Sequence, residues 1–319
     1  KSLNNGNTHY CSSSGVHPLK STIVEKLKSK NQFLTANSEQ VTITHGAVQG
    51  IHLALGSIIT PGDEVILIAP YWLAYQSNVS LFGAHYKICN TQFDTGFQPD
   101  IKAIASLITP KTKAILICNP GNPTGYLYSK QEIEKLAEIV KKHDLFLIAD
   151  EVYREFVYDD GIEHHSVLNN FGLDDHAIII DSVSKRYSMC GARVGCMVSK
   201  NKEIIATAMK FAQARLSPPT YAQIASEAAL DTPQSYFDNV ITEYKDRRDT
   251  LISELSKIDG VLVSKPKGAF YCVVQLPIED ADDFAQWMLE KFNDQAETIM
   301  VAPASGFYST PGQGKRSEE

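Results

Sequence analysis

Four apolar runs recur along the chain: EVILIAP at 64–70, KAILIC at 113–118, LFLIAD at 145–150 and AIIIDS at 177–182. Each is of strand length, each is apolar nearly throughout, and helical patterns separate them. Segments of that kind are buried on both faces, which is the situation of strands in a sheet covered by helices on each side. The pattern predicts an α/β fold with a mainly parallel sheet. A shorter strand, VTIT at 41–44, precedes them, and a helix with Ile23, Val24 and Leu27 on one face precedes that. Pro61-Gly62-Asp63 reads as a turn, and Ser129 with Glu132 as a capping box opening a helix to about His143.

Polar or aromatic groups follow the strands. His45-Gly46-Ala47-Val48-Gln49 leads from VTIT into a helix, so the amides of Gly46, Ala47 and Val48 could hold an anion. Tyr71, Trp72 and Tyr75 follow Pro70; the rigid loop NPGNPTG (119–125) follows Cys118; Asp150-Glu151-Val152-Tyr153 closes LFLIAD. Taken singly, the first reads better as a plain tight turn and the second as hydrophobic packing. Together they fall on the carboxyl edge of the sheet, where ligands of open α/β folds bind. An aspartate ending a buried strand needs a cation to meet it, and Asp150 stands in that position.

Composition excludes several function classes. The 319 residues are 43% hydrophobic and 21% charged, and the net charge of −7 includes no basic block, so no nucleic-acid partner is expected. No apolar run reaches membrane-spanning length, and neither a signal peptide nor a location outside the cytoplasm is expected. The six cysteines, widely spaced and without a CxxC, read as reduced buried thiols rather than disulfides or a zinc site, and no metal is expected. The chain opens on Lys1 rather than Met, so an N-terminal arm is expected to be missing.

The last strand delivers DSVSKRYSMCGARVG (181–195), with Lys185 behind two serines and Arg193 eight residues further on. Ser182-Val183-Ser184-Lys185 matches the SxxK of serine acyl-enzymes, but the companion SDN and KTG elements do not occur, and Ser182 closes a strand rather than opening a helix. Gly314-Lys315 is followed by Arg316, not Ser or Thr, which excludes a P-loop. A lysine amine that forms a Schiff base with an aldehyde uses more of the sequence, and pyridoxal phosphate is the aldehyde enzymes usually hold so. That cofactor needs a carboxylate at its ring nitrogen (Asp150) and donors for its phosphate (Ser182, Ser184, Arg193 and the Gly46–Val48 amides). It also needs hydrogen bonds to its phenolic oxygen (Asn122, Tyr153) and a flat partner for its ring (Trp72).

GAVQ (46–49), PYWLAY (70–75), NPGNPTG (119–125), DEVY (150–153) and SVSK with its Gly-X-Arg (182–193) together resemble the class I/II aminotransferases of pyridoxal-phosphate fold type I, in their prokaryotic aspartate/aromatic branch. The resemblance spans nearly the whole chain. It implies a three-layer fold and catalytic roles for Lys185, Asp150 and Tyr153, with Lys185 as covalent anchor, proton acceptor and proton donor. It places Gly46, Ala47, Val48, Trp72, Asn122, Ser182, Ser184 and Arg193 on the cofactor, Asn122 and Trp72 beside the substrate, and Tyr10 at the phosphate of a neighbouring subunit. A homodimer acting on an amino acid and a 2-oxo acid by a ping-pong route follows, with aspartate as one possible donor. Some aspartate enzymes of this branch carry lysine where Val48 stands, so this chain lacks that contact for a distal carboxylate. Cys190 is read as packing. The alternatives on the same fold are a lyase or decarboxylase, or a non-catalytic ligand-sensing domain.

Helical patterns dominate from Lys202 to about Leu230, and a long helix is expected from Pro233 to about Ile258. After it, VLVSK, AFYCVVQL and TIMVAP read as short strands around a helix at 282–292, and the closing GQGKRSEE as loop. The expected division is a large domain over 1–245 and a small, incomplete one over 246–319. The family's carboxylate-binding arginine is not assigned to Arg316.

Overall fold

The computed structural model describes residues 3–29, 36–169 and 171–315, and the backbone of 317–318; Arg316 lies outside the described residues. Ten helices and ten strands are described. The helices are α1 (His17–Ser29), α2 (Ala47–Ile58), α3 (Ala74–Leu81), α4 (Ile101–Ser106), α5 (Lys130–Lys142), α6 (Val183–Arg186), α7 (Lys202–Ala214), α8 (Thr220–Ala229), α9 (Gln234–Leu255) and α10 (Ala281–Glu290). Seven strands build one sheet: β1 (Val41–Thr44), β2 (Glu64–Ala69), β3 (His85–Asn90), β4 (Thr112–Cys118), β5 (Phe146–Asp150), β6 (Ala177–Ser182) and β7 (Gly195–Val198). Their order is β1-β7-β6-β5-β4-β2-β3. Only β7 runs against the rest, antiparallel to both β1 and β6.

The apolar runs are explained by what covers them. Successive residues of a strand point to opposite faces, and here they enter separate cores. Ile115, Ile117, Leu147, Ala149 and Ile179 pack with Leu19, Val24 and Leu27 of α1 and Ile133, Leu136 and Val140 of α5. Leu116, Ile148, Ile178 and Ile180 pack with Ile51, Leu53 and Leu55 of α2, Val79 of α3 and Ile204 of α7. A polar residue at either parity would be buried without a partner, so no alternation survives in the sequence. Truncating one such side chain to alanine costs about 2–5 kcal/mol.

Helix ends follow local chemistry. Ser129 accepts from the Glu132 amide while the Glu132 carboxylate accepts from the Ser129 amide, the expected capping box at the start of α5. Between α7 and α8 the chain is interrupted at Leu216, which sits at φ +69°, and by Pro218-Pro219, so the helical pattern there forms two helices.

The C-terminal layer departs from expectation. Its sheet is a small antiparallel one of β8 (Leu262–Val263), β9 (Val274–Gln275) and β10 (Ser317–Glu318). Most of AFYCVVQL is not strand, and TIMVAP is none at all: Ile299 and Met300 are 64% and 81% exposed, leaving its apolar character without a partner face. The closing loop instead supplies β10, whose backbone pairs with β9 despite a polar sequence. Among the described residues no helix is long and apolar enough to cross a membrane.

Candidate active site

At the carboxyl edge of the parallel strands lies a cavity of about 240 Å³. The β1–α2 junction brings Ala47 and Val48 to it, the β2–α3 junction Trp72 and Tyr75, and the loop after β4 Asn122. The end of β5 brings Asp150 and Tyr153, and the β6–α6 junction Ser182, Ser184 and Lys185. Because β7 is antiparallel, its start lies on this same edge, and Arg193 therefore joins them from the segment just before it. Nearly every residue expected at the site thus meets in one place. Tyr10 does not; it is 81% exposed and away from the cavity lining. Gly46 caps α2 immediately beside it.

Lys185 sits in the single turn of α6. Ser182, the last residue of β6, also caps that turn and so opens a helix as well as closing a strand, contrary to the sequence expectation. It accepts from the Ser184 amide at 3.1 Å, and its hydroxyl donates to the Val194 carbonyl at 2.9 Å. Since Ser182 has one proton, the 2.7 Å contact between the two serine hydroxyls is donated by Ser184. The Lys185 amine lies 5.5 Å from the Tyr153 ring centre and 5.7 Å from that of Phe270, and among the described residues it makes no hydrogen bond or ion pair.

Asp150 closes the floor at 2% exposure. Burial pushes its carboxyl up to about 6, against the opposing pull of hydrogen bonds from the Tyr75 hydroxyl and the Val152 amide. Beside it, burial drives the Cys118 thiol far upward, and it donates to the Pro120 carbonyl at 3.2 Å. The next residue, Glu151, is wholly buried and faces away; it accepts from the Val167 amide at 3.0 Å, and burial lifts its carboxyl to about 8.

The opposite wall is cationic and open. Gly46 has φ +77°, and a Cβ there would fall 2.3 Å from Arg193 Nη2. The guanidinium donates to the carbonyls of Cys190 and His45 at 2.7 and 3.2 Å, and Arg193 itself takes φ +56°. This is the left-handed region that side chains rarely adopt. Cys190 is exposed and borders the cavity, so the packing role read from sequence is corrected for this residue, while its loop neighbours Met189 and Ala192 pack against the core under α1.

Two contributors were not legible in the sequence. Tyr75 reads as one member of an aromatic cluster, yet it is the donor to Asp150. Tyr271 arrives from the segment before β9, and its hydroxyl meets that of Tyr153 at 2.6 Å. No local signal marks it. A second cavity of about 270 Å³ lies behind β6 and shares Ser182; it is bordered by the buried ion pairs of Asp181 with Arg154 and Arg186 and lacks the lysine amine.

The sheet and its edge cavity define an α/β enzyme built around one lysine amine. The chain belongs to the class I and II aminotransferases, whose family model matches residues 1–313. It is 38% identical to the aspartate aminotransferase of Sulfurisphaera tokodaii over 85% of this chain and 67% of that protein. With the aspartate aminotransferase of Thermotoga maritima it shares 32% identity over 96% of this chain and 78% of that one. Among solved structures, the aromatic aminotransferase of Pyrococcus horikoshii superposes with a TM-score of 0.90 at 30% identity, covering 99% of this chain and 83% of the other. The protein is an aminotransferase; these relatives support amino-group transfer rather than the lyase or decarboxylase reading.

Proposed function

We propose that this aminotransferase uses pyridoxal phosphate held on Lys185 and moves an amino group between an L-amino acid, aspartate among them, and a 2-oxo acid in two half-reactions. The observation that carries the reading is the amine of Lys185, unpaired in a cavity that has a buried carboxylate on its floor and a guanidinium on its wall. Aspartate as donor is supported by the names of the relatives.

Two features support the fit of the cofactor. The Asn122 side chain has a buried amide end with no partner, and with the amide turned over that end is its NH2, a donor that the oxygen of a bound molecule would satisfy. Gly46 keeps space beside Arg193 that any side chain would fill, next to the free amides that open α2. On this reading Gly46, Ala47, Val48, Ser182, Ser184 and Arg193 hold the phosphate, Asn122 and Tyr153 the phenolic oxygen, Trp72 the ring face and Asp150 the ring nitrogen.

When bound, pyridoxal phosphate supplies an electron-withdrawing ring conjugated to the substrate's amino group. Asp150 would hold a proton on the ring nitrogen, and a positive charge there would favour its own ionised form against the burial that pushes the carboxyl up. Lys185 Nζ would take the proton from the substrate Cα and hand it to the cofactor's carbon rather than back to Cα. The aromatic rings around it exclude water and leave the amine without a competing partner. Asn122 and Trp72 border the substrate.

The exposure of Tyr10 supports a homodimer in which it reaches the neighbouring subunit's phosphate. We read residues 1–245 as the cofactor domain and 246–319 as the small one, and the protein as cytoplasmic. Borohydride treatment followed by peptide mapping tests the core of the proposal, with the reduced adduct expected on Lys185. A Lys185→Ala protein that still forms a reducible adduct overturns the anchor. Aspartate with 2-oxoglutarate should give glutamate; ammonia without glutamate overturns the transfer.

A further inference from the structure

We infer that Tyr271 is a positioning residue of the cofactor site: its hydroxyl donates to that of Tyr153 and so commits the Tyr153 proton to an acceptor in the cavity. The inference rests on the reading of that acceptor as the phenolic oxygen of pyridoxal phosphate.

The two hydroxyls are 2.6 Å apart, and burial, with the Tyr271 phenol beside it, pushes Tyr153 far above the ordinary range. Each phenol has one proton to donate. The pair can be arranged in two ways. If Tyr153 donates to Tyr271, its proton is lost to the cavity. If Tyr271 donates to Tyr153, the Tyr153 proton is free for a third oxygen. A negatively charged acceptor selects the second arrangement, and a donor behind Tyr153 makes Tyr153 itself a stronger donor.

Tyr271 is held for this task by backbone as well as ring contacts. Its partner lies 118 residues earlier, yet the two segments are stapled together. The Ala269 amide donates to the Phe156 carbonyl at 3.0 Å, Gly268 and Val157 form an antiparallel bridge, and the Tyr158 hydroxyl donates to the Ala269 carbonyl. The Tyr153 and Tyr271 rings meet edge to face at 5.4 Å, and Phe270 packs edge-on against Tyr153 at 5.2 Å. The hydroxyl of Tyr271 can be removed while its ring keeps this packing.

The experiment is a double-mutant cycle of Tyr153→Phe and Tyr271→Phe in the full chain, read by the affinity of cofactor-free protein for pyridoxal phosphate and by the pH midpoint of the bound cofactor's visible absorbance. A donor on the phenolic oxygen favours the form in which that oxygen carries full negative charge, so weakening the donor moves the midpoint upward. Tyr271→Phe should weaken binding about three- to tenfold and raise the midpoint, by less than Tyr153→Phe does. In the Tyr153→Phe background it should change neither. Wild-type affinity and midpoint in Tyr271→Phe overturn the inference, as do effects that simply add to those of Tyr153→Phe. If Tyr153→Phe itself moves neither readout, the placement of the cofactor beneath both tyrosines is what fails.

Discussion

The Tyr75 hydroxyl donates to Asp150 Oδ2 at 2.9 Å, and both side chains are 2% exposed. A buried carboxylate is held in one orientation by a phenol fixed in the first turns of α3, so the floor of the site is set by a helix on the far side of the sheet from α5. Removing that hydrogen bond should raise the Asp150 carboxyl above its present value of about 6, because burial then acts with less opposition. Tyr75→Phe should also lower kcat by about ten- to a hundredfold, the worth of a hydrogen bond to a charged group. Steady-state kinetics check the second expectation, and the pH dependence of cofactor binding the first; wild-type values in both would exclude an orienting role.

Asp150 is also a burden on the cofactor-free fold. Its carboxyl titrates near 6 when folded and at 3.8 in the ordinary range, so between those values the folded chain holds a proton that the unfolded chain has lost. Stability therefore declines as pH rises from about 4 to about 6, and the penalty is complete above that. Cofactor-free Asp150→Asn should be more stable than the parent at pH 7 by on the order of 2–3 kcal/mol, with the gain vanishing below about pH 4. Urea unfolding at several pH values measures this. A variant equally stable at neutral pH would mean that the carboxylate is compensated without its cofactor.

Gly46→Ala tests the cationic wall. The substitution forces a side chain into φ +77° and places its Cβ on the Arg193 guanidinium. Affinity for pyridoxal phosphate should fall more than about tenfold, the two perturbations together exceeding about 1.4 kcal/mol. Affinity for pyridoxal, which lacks the phosphate, should change little. Equal losses for the two ligands would place the phosphate elsewhere.

Behind the site, Asp181 pairs with Arg154 at 3.2 Å and with Arg186, and Glu155 lies 3.6 Å from both guanidinium groups. Asp181→Asn removes the carboxylate that serves two buried arginines and should destabilise the protein by about 3–5 kcal/mol. The urea midpoint should drop accordingly and respond weakly to salt, since these side chains are 6–11% exposed. A shift under about 1 kcal/mol would show that Glu155 suffices.

What could be read in advance follows from locality. Strands β2, β4, β5 and β6 are legible because burial on two faces forces continuous apolar runs. Asp150, Asn122 and Lys185 are legible because each stands at the end of one of them. Strand β3, HYKICN, carries polar residues because it lies at the sheet edge and its side chains are largely half-buried, which blurs the signal. TIMVAP misleads for the opposite reason: apolar content predicts a strand only if something covers it. Tyr271 depends on pairing between segments far apart in sequence, which no window of residues contains.

The pairing of β6 with β7 sets Ser182 opposite Gly195 and Asp181 opposite Cys196. Lys185 and Arg193 each stand within three residues of that clamp, one leaving it and one returning. The stretch between them, 187–191, is thus a connector whose two ends are tied down by the sheet. Within it the Cys190 carbonyl accepts from the Arg193 guanidinium at 2.7 Å, and Tyr187 and Met189 pack against the core under α1. The connector itself thus helps to fix the guanidinium relative to the amine, and an inserted residue there would shift one against the other.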